Sequence, residues 1–196
     1  IVRMAELAKE TVKCAQEGFF QNNEGLLKQA EENEVALDNF QQTITHYLIK
    51  ISEKSLDARE SSEFPVLLHS VNDLEKVGDY AVNIAGYAAS KIKHKTVLSD
   101  DGTNHINSMF GKLYNLFDVV IDSLKKRDSQ LALDAIPLED EIDAMKLKCR
   151  EKYIKRLKNN VGSTESEIMV MDIATNIEKM GDHLISIAKA VIKDLK

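Results

Sequence analysis

The sequence predicts an all-α protein built as two tandem three-helix bundles. Three observations predict it. Apolar residues recur at helical spacing over long stretches. Helix breakers are scarce, with two prolines and eight glycines in 196 residues. The chain also repeats itself, which is the mark of a duplicated unit. At an offset of 105, Met4 aligns with Met109, Leu26 with Leu131, Ala30 with Ala135, Glu34 with Glu139, Asp38 with Asp143 and Ile49 with Ile154. At an offset of 103, Asp73-Leu-Glu-Lys-Val-Gly-Asp79 aligns with Asn176-Ile-Glu-Lys-Met-Gly-Asp182, and Ala85 with Ala188. The expected organisation is a first repeat at 1–94, a linker at 95–104 and a second repeat at 105–196.

The first helix is expected from Ile1 to Gln21, with Met4, Ala8, Val12, Ala15 and Phe19 on one face, and Asn22-Asn23-Glu24-Gly25 breaks it. The second runs from Glu24 to Ser55 on the seam Leu37, Phe40, Ile44, Tyr47 and Ile51. Leu56 to Ser62 reads as a polar loop, with Ser61 or Ser62 as N-cap and Pro65 in the first turn of the third helix, where a missing N–H costs nothing. That helix extends to Lys93 along Leu67, Val71, Leu74, Gly78, Ala81, Ala85, Ala88 and Ile92. After a linker from His94, with Asp101-Gly102-Thr103-Asn104 as turn and cap, the plan repeats. Ile106, Met109, Leu113, Leu116, Val120 and Leu124 mark the fourth helix, and Ile142, Met145, Cys149 and Ile154 the seam of the fifth, Leu131 to Lys158. Pro137 is expected to kink or break the fifth helix just before Glu139. The loop Asn159 to Thr164, with Thr164 as a cap, leads to the sixth helix, Glu165 to Asp194.

Composition removes several function classes. A hydrophobic content of 43% with 30% charged residues is that of a globular chain. A net charge of −6 gives no basic excess to offset nucleic-acid phosphates. Cys14 and Cys149 are isolated, in non-equivalent places, and read as free thiols of a reducing compartment. No apolar run reaches the roughly 18 residues that a membrane span requires. Glycine-rich phosphate loops, nucleophile elbows and Cys/His clusters are missing. The opening Ile1-Val-Arg-Met-Ala reads as helix already under way, so the chain is expected to belong to a longer protein.

The carboxylates carry the chemistry. Glu75 with Asp79 and Glu178 with Asp182 are Glu-x-x-x-Asp pairs, which lie on one helix face a turn apart. The duplication exposes two more, Glu34 with Asp38 and Glu139 with Asp143. If the first hairpin folds back at residue 56 or 57, Glu34 stands opposite Asp79 and Asp38 opposite Glu75. If the second folds back between 160 and 161, Glu139 stands opposite Asp182 and Asp143 opposite Glu178. Two clusters of four carboxylates follow, one per bundle. At about 6 Å and an effective dielectric near 20, each like pair repels by about 3 kcal/mol, so something must neutralise them. Lys76 and Lys179 follow their glutamates by one position and are expected to point about 100° away. An all-oxygen ligand set suits hard cations such as Mg, Mn, Ca or Fe(III). A plain acidic surface stripe is the alternative. Gly78 and Gly181 lie on the seam beside the pairs, where a glycine points to close approach of a neighbouring helix. His183 reads as a hydrogen-bonding residue more than a ligand, and His46 and His69 as structural.

Two three-helix units, each carrying Glu-x-x-x-Asp on its third helix, with Asp79-Tyr-Ala-Val-Asn-Ile-Ala85 following in the first, resemble the PhoU family of phosphate-uptake regulators. The resemblance covers the whole chain. It implies an all-helical fold and multinuclear metal clusters, iron foremost and Mg or Mn as others, on Glu34, Asp38, Glu75, Asp79, Glu139, Asp143, Glu178 and Asp182. The chain departs from the family in having Lys76 and Lys179 where arginine is usual, and Tyr80 where its second repeat has the usual histidine, His183. The stretch Ile1-Val-Arg-Met-Ala-Glu6 resembles the junction in bacterial sodium/phosphate cotransporters that carry a PhoU-like domain after their membrane helices. The resemblance therefore implies a non-enzymatic regulatory domain attached to such a transporter. Its partner would be a membrane phosphate transporter, in the same chain or separate, with a homodimer also open. It would work in the cytoplasm, tethered or peripheral to the inner membrane. The alternatives are a free-standing PhoU-type regulator of a phosphate ABC transporter and a carboxylate-bound di-metal hydrolase.

Overall fold

The computed structural model describes residues 1–53, 57–158 and 163–194. These residues form helices α1 (Val2–Gln21), α2 (Glu24–Ser52), α3 (Ala58–His94), α4 (Asp100–Lys126), α5 (Ser129–Leu133), α6 (Ala135–Lys158) and α7 (Thr164–Asp194). The all-α expectation holds. α5 and α6 are the two parts of the expected fifth helix.

Local chemistry sets the boundaries. Asn22 ends α1 in the left-handed conformation (φ 53°), and the next residue, Asn23, caps α2 by accepting from the N–H groups of Gly25 and Leu26. The second repeat does the same at the equivalent positions: Arg127 is left-handed (φ 49°) and Asp128 accepts from Gln130 and Leu131.

Four boundaries differ from expectation. α3 begins at Ala58, so Ser61 lies inside the helix instead of capping it, and Pro65 sits beyond the first turn. α4 begins at Asp100, with Ser99 accepting from Gly102 N–H, one turn before the expected cap; Asp100 and Asp101 then complement the helix dipole. α7 is capped by Ser163, whose hydroxyl oxygen accepts from Ser166 N–H, and not by Thr164. The fifth helix breaks at Asp134, upstream of the expected point, because the Pro137 ring excludes the carbonyl four residues earlier, that of Leu133. The loop expected at Asn159 to Gly162, and Leu56 in the other loop, lie outside the described residues.

α1, α2 and α3 pack against one another, and α4, α6 and α7 do the same, with α5 against α7. α3 and α7 pack together along the middle of the molecule, and α1 rests on α4. Buried side chains of both halves join in one apolar core that includes Met4, Phe19, Leu37, Leu74, Ile84, Phe110, Leu113, Phe117 and Ile142. Phe40, Tyr47 and Ile154, expected in seams, are exposed. Among the described residues, α2 packs on α1 and α3 and on no other helix.

Candidate metal centre

Each half sets two helices side by side and brings its two carboxylate pairs together. In the first half, α2 approaches α3 at Gly78. A methyl group there would stand 2.7 Å from Leu37 Cδ1 and 3.7 Å from Glu34 Cγ. The close approach expected from a glycine at this point is therefore present. Glu34 feels the charges of Asp38, Asp79 and Glu75. Burial first, and those charges next, push its carboxyl above the usual range. In the second half α6 takes the place of α2. Glu139 is raised by burial and then by Asp143, with Lys189 opposing, and Asp143 is raised by burial and then by Glu178 and Asp182. Gly181 is looser than Gly78, since a methyl group would meet Ile142 at an ordinary 3.6 Å.

The lysines overturn one expectation. Lys76 and Lys179 do not point away; their long stems curl back over the pairs. Lys76 Nζ reaches Asp79 Oδ2 at 2.7 Å and Glu75 Oε2 at 3.2 Å. Lys179 Nζ reaches Asp182 Oδ2 at 2.7 Å and stands 3.5 Å from Glu178 Oε2. The spacing of i to i+3 permits this because four rotatable methylenes can fold the ammonium toward its own face. Lys146, on α6, adds an ion pair of 2.9 Å to Glu178 Oε1. Sequence reasoning passed over Lys146, and the signal was available: it follows Asp143 by one helical turn, where the first repeat has Gln41.

The second cluster has two further properties. Oxygen atoms from Glu139, Asp143 and Asp182 lie within 4.8 Å of one another. Asp143 Oδ1 and Glu178 Oε2 are buried and accept no hydrogen bond. An orphaned buried carboxylate oxygen costs on the order of 1–3 kcal/mol or more when charged, and a cation relieves that cost without requiring a donor hydrogen. Oxygen donors of this kind fit a hard cation. The cluster opens on a cleft of about 530 Å³ between α3 and α7, lined by His69, Asp182, Ser186 and Lys189 among others. His183 has the hydrogen-bonding role expected of it. Its Nδ1 lies 2.9 Å from Asp73 Oδ1 on α3, and its ring faces Tyr80, the equivalent residue of the first repeat. Asn83 donates to Asn176 across the same junction at 3.2 Å.

The PhoU domain matches residues 1–88 and 106–191. The chain is 24% identical over 197 aligned residues to the phosphate-specific transport system accessory protein PhoU homolog 1 of Thermotoga maritima, covering 98% of this chain and 82% of that one. The fold is that of a crystal structure of PhoU from Pseudomonas aeruginosa, with a TM-score of 0.92, 19% identity and coverage of 98% of this chain and 92% of the other. It is likewise that of the phosphate transport system regulatory protein PhoU from Streptococcus pneumoniae, with a TM-score of 0.87, 13% identity and coverage of 100% and 91%.

Proposed function

This chain belongs to the PhoU family, and we propose that it regulates a phosphate transport system and holds metal ions on its two carboxylate clusters. The observation that carries the metal reading is the convergence of oxygens from Glu139, Asp143 and Asp182 within 4.8 Å, with Asp143 Oδ1 buried and without a hydrogen bond. The ligands are Glu34, Asp38, Glu75, Asp79, Glu139, Asp143, Glu178 and Asp182, with iron first among the metals. The regulatory reading is supported by relatives named as accessory proteins of phosphate-specific transport. Those names favour the accessory type over the domain of a sodium/phosphate cotransporter that the opening residues suggested. Its partner is then a separate membrane transporter, met at the cytoplasmic face of the inner membrane. The division into repeats at 1–94 and 105–196 is retained as the architecture of this regulator. No helix among the described residues is long and apolar enough to cross a membrane.

The chemistry favours a regulator over a hydrolase. Lys76, Lys146 and Lys179 are engaged as counter-ions at the clusters, and among the described residues no arginine is ion-paired with these carboxylates to orient a phosphate ester. Two measurements test the proposal. Metal analysis of anaerobically purified protein should show bound metal that is lost in the double variant Asp79→Ala, Asp182→Ala. Equal metal content in both proteins rejects the clusters as sites. Phosphate uptake should become unresponsive to external phosphate in cells carrying that variant as their only copy. Unchanged uptake control rejects the regulatory role of the metal.

A further inference from the structure

We propose that the outward face of α6, around Leu147 and Ile154, docks on the surface of an anionic lipid bilayer. Residues 147–158 hold six basic residues, Lys148, Arg150, Lys152, Lys155, Arg156 and Lys158, and one acidic residue, Glu151, in a chain of net charge −6. Two of the six are engaged inside the fold: Lys152 pairs with Asp101 and Arg156 with Glu167. The other four are exposed, and among the described residues they form no ion pair. In this they differ from Lys76, Lys146 and Lys179, each of which is held by carboxylates.

The face carries apolar groups as well as charge. Leu147 is 60% exposed and Ile154 42%. They stand seven residues apart, so they share one line along the helix, about 10 Å from each other at the helical rise. Lys148 and Lys155 flank that line on one side and Arg150 on the other, and Lys158 continues it by one turn. Ile168 of α7, 44% exposed, lies across a shallow groove shared with Tyr153 and Ile154. A nucleic acid would use the charges and leave the apolar side chains in water. An anionic bilayer uses both, since its phosphates attract the bases and its acyl boundary takes the apolar tips. The long stems of lysine and arginine let their charges stay among the headgroups while Leu147 and Ile154 sink below them.

The duplication shows that the fold does not require this face. At the equivalent positions α2 has Gln42 for Leu147, Thr43 for Lys148, Thr45 for Arg150 and Glu53 for Lys158, and keeps only Lys50 for Lys155. α2 and α6 hold equivalent places in their bundles, so an outer helix of this kind stays solvated without four unpaired bases. The proposal is independent of the metal clusters. It goes beyond the regulatory reading in assigning the face that meets the membrane.

Flotation of the full chain with lipid vesicles tests this. The protein should float with vesicles of equimolar phosphatidylglycerol and phosphatidylcholine and stay behind with phosphatidylcholine alone, and added salt should weaken the binding by shortening the Debye length. Each charge near such a surface strengthens binding by roughly fivefold, so Lys148→Gln with Arg150→Gln and Lys155→Gln should weaken it by roughly a hundredfold. Leu147→Ser with Ile154→Ser should weaken it several-fold and leave its salt dependence in place. Lys13→Gln with Lys28→Gln and Lys50→Gln removes the same charge from the first repeat and should change binding by less than roughly threefold, because those charges are screened from the face. All of the substituted side chains are exposed, so circular dichroism should show an unchanged fold in each variant. Absence of binding to the anionic vesicles, equal binding to phosphatidylcholine alone, equal weakening by the two lysine sets, or unchanged binding in the Leu147 and Ile154 variant overturns the proposal. Binding of polyglutamate but not of vesicles also overturns it, in favour of an acidic protein segment. None of these outcomes bears on the metal-site reading.

Discussion

Gly78 and Gly181 occupy equivalent places in the two repeats but not equivalent surroundings. Leu37 is fully buried, so its Cδ1, 2.7 Å from an added methyl group, can move only by displacing its neighbours. Gly78→Ala should therefore destabilise the protein by about 1–3 kcal/mol, the usual cost of overpacking a core. Gly181→Ala meets only ordinary contacts and gains helix propensity of up to about 1 kcal/mol, so it should be neutral or mildly stabilising. Urea denaturation midpoints of the two variants decide the matter, and equal losses would contradict the asymmetry. Cys149 is also governed by its surroundings. Burial pushes its thiol up to about 11, so at pH 7.5 the folded protein should react slowly with a thiol reagent and the unfolded chain quickly. A thiol raised in the folded state keeps its proton longer than in the unfolded one. Its contribution to stability is therefore present below the ordinary thiol range and is lost as pH rises from about 9 toward 11.

At the scale of elements, the duplication has preserved backbone geometry more faithfully than side chains. Asn22 and Arg127 both stop a helix in the left-handed conformation, and Asn23 and Asp128 both start the next one. Asn adopts that conformation readily; Arg has no local hydrogen bond to offset the crowding of its Cβ. Arg127→Gly should stabilise the protein by about 1 kcal/mol and Asn22→Gly by less, as read from thermal melts. Asn23→Ala and Asp128→Ala should each cost about 1 kcal/mol, since two N–H groups lose an acceptor in each case. The tilt and ends of these helices matter to the clusters because Glu139 lies in the first turns of α6, just after the Pro137 break. The carboxylate pair begins where the helix restarts.

At the scale of the molecule, α3 and α7 join the halves and carry half of each cluster. His183 and Tyr80 meet at that junction, so each motif helix touches the other beside its own aspartate. Metal should stabilise the whole fold and not one half. Saturation at about 100 times the dissociation constant adds about 2.7 kcal/mol, which for a chain of this size raises Tm by about 5–10 °C. A chelator should reverse the shift in a single cooperative transition. Two separated transitions would show that the halves unfold independently.

Helical periodicity, the duplication and the four Glu-x-x-x-Asp pairs were legible in the sequence because they depend on spacing along one chain. Spacing also sufficed to set Glu34 beside Asp79 and Glu139 beside Asp182, since an antiparallel hairpin fixes which residues face each other once its turn is placed. The start of α3 at Ala58 and the caps Ser99 and Ser163 lie a few residues from their expected places, because several polar residues compete as caps and only local geometry selects one. Phe40 and Tyr47 were misjudged because periodicity marks an apolar face without saying whether anything covers it. What the sequence determined by itself is the class of chemistry: carboxylate oxygens in two repeated groups on paired helices. Only the tertiary structure decided how those groups differ. Lys76, Lys146 and Lys179 choose their partners through space, and a carboxylate oxygen such as Asp143 Oδ1 is left without a hydrogen bond only when the neighbouring helices enclose it.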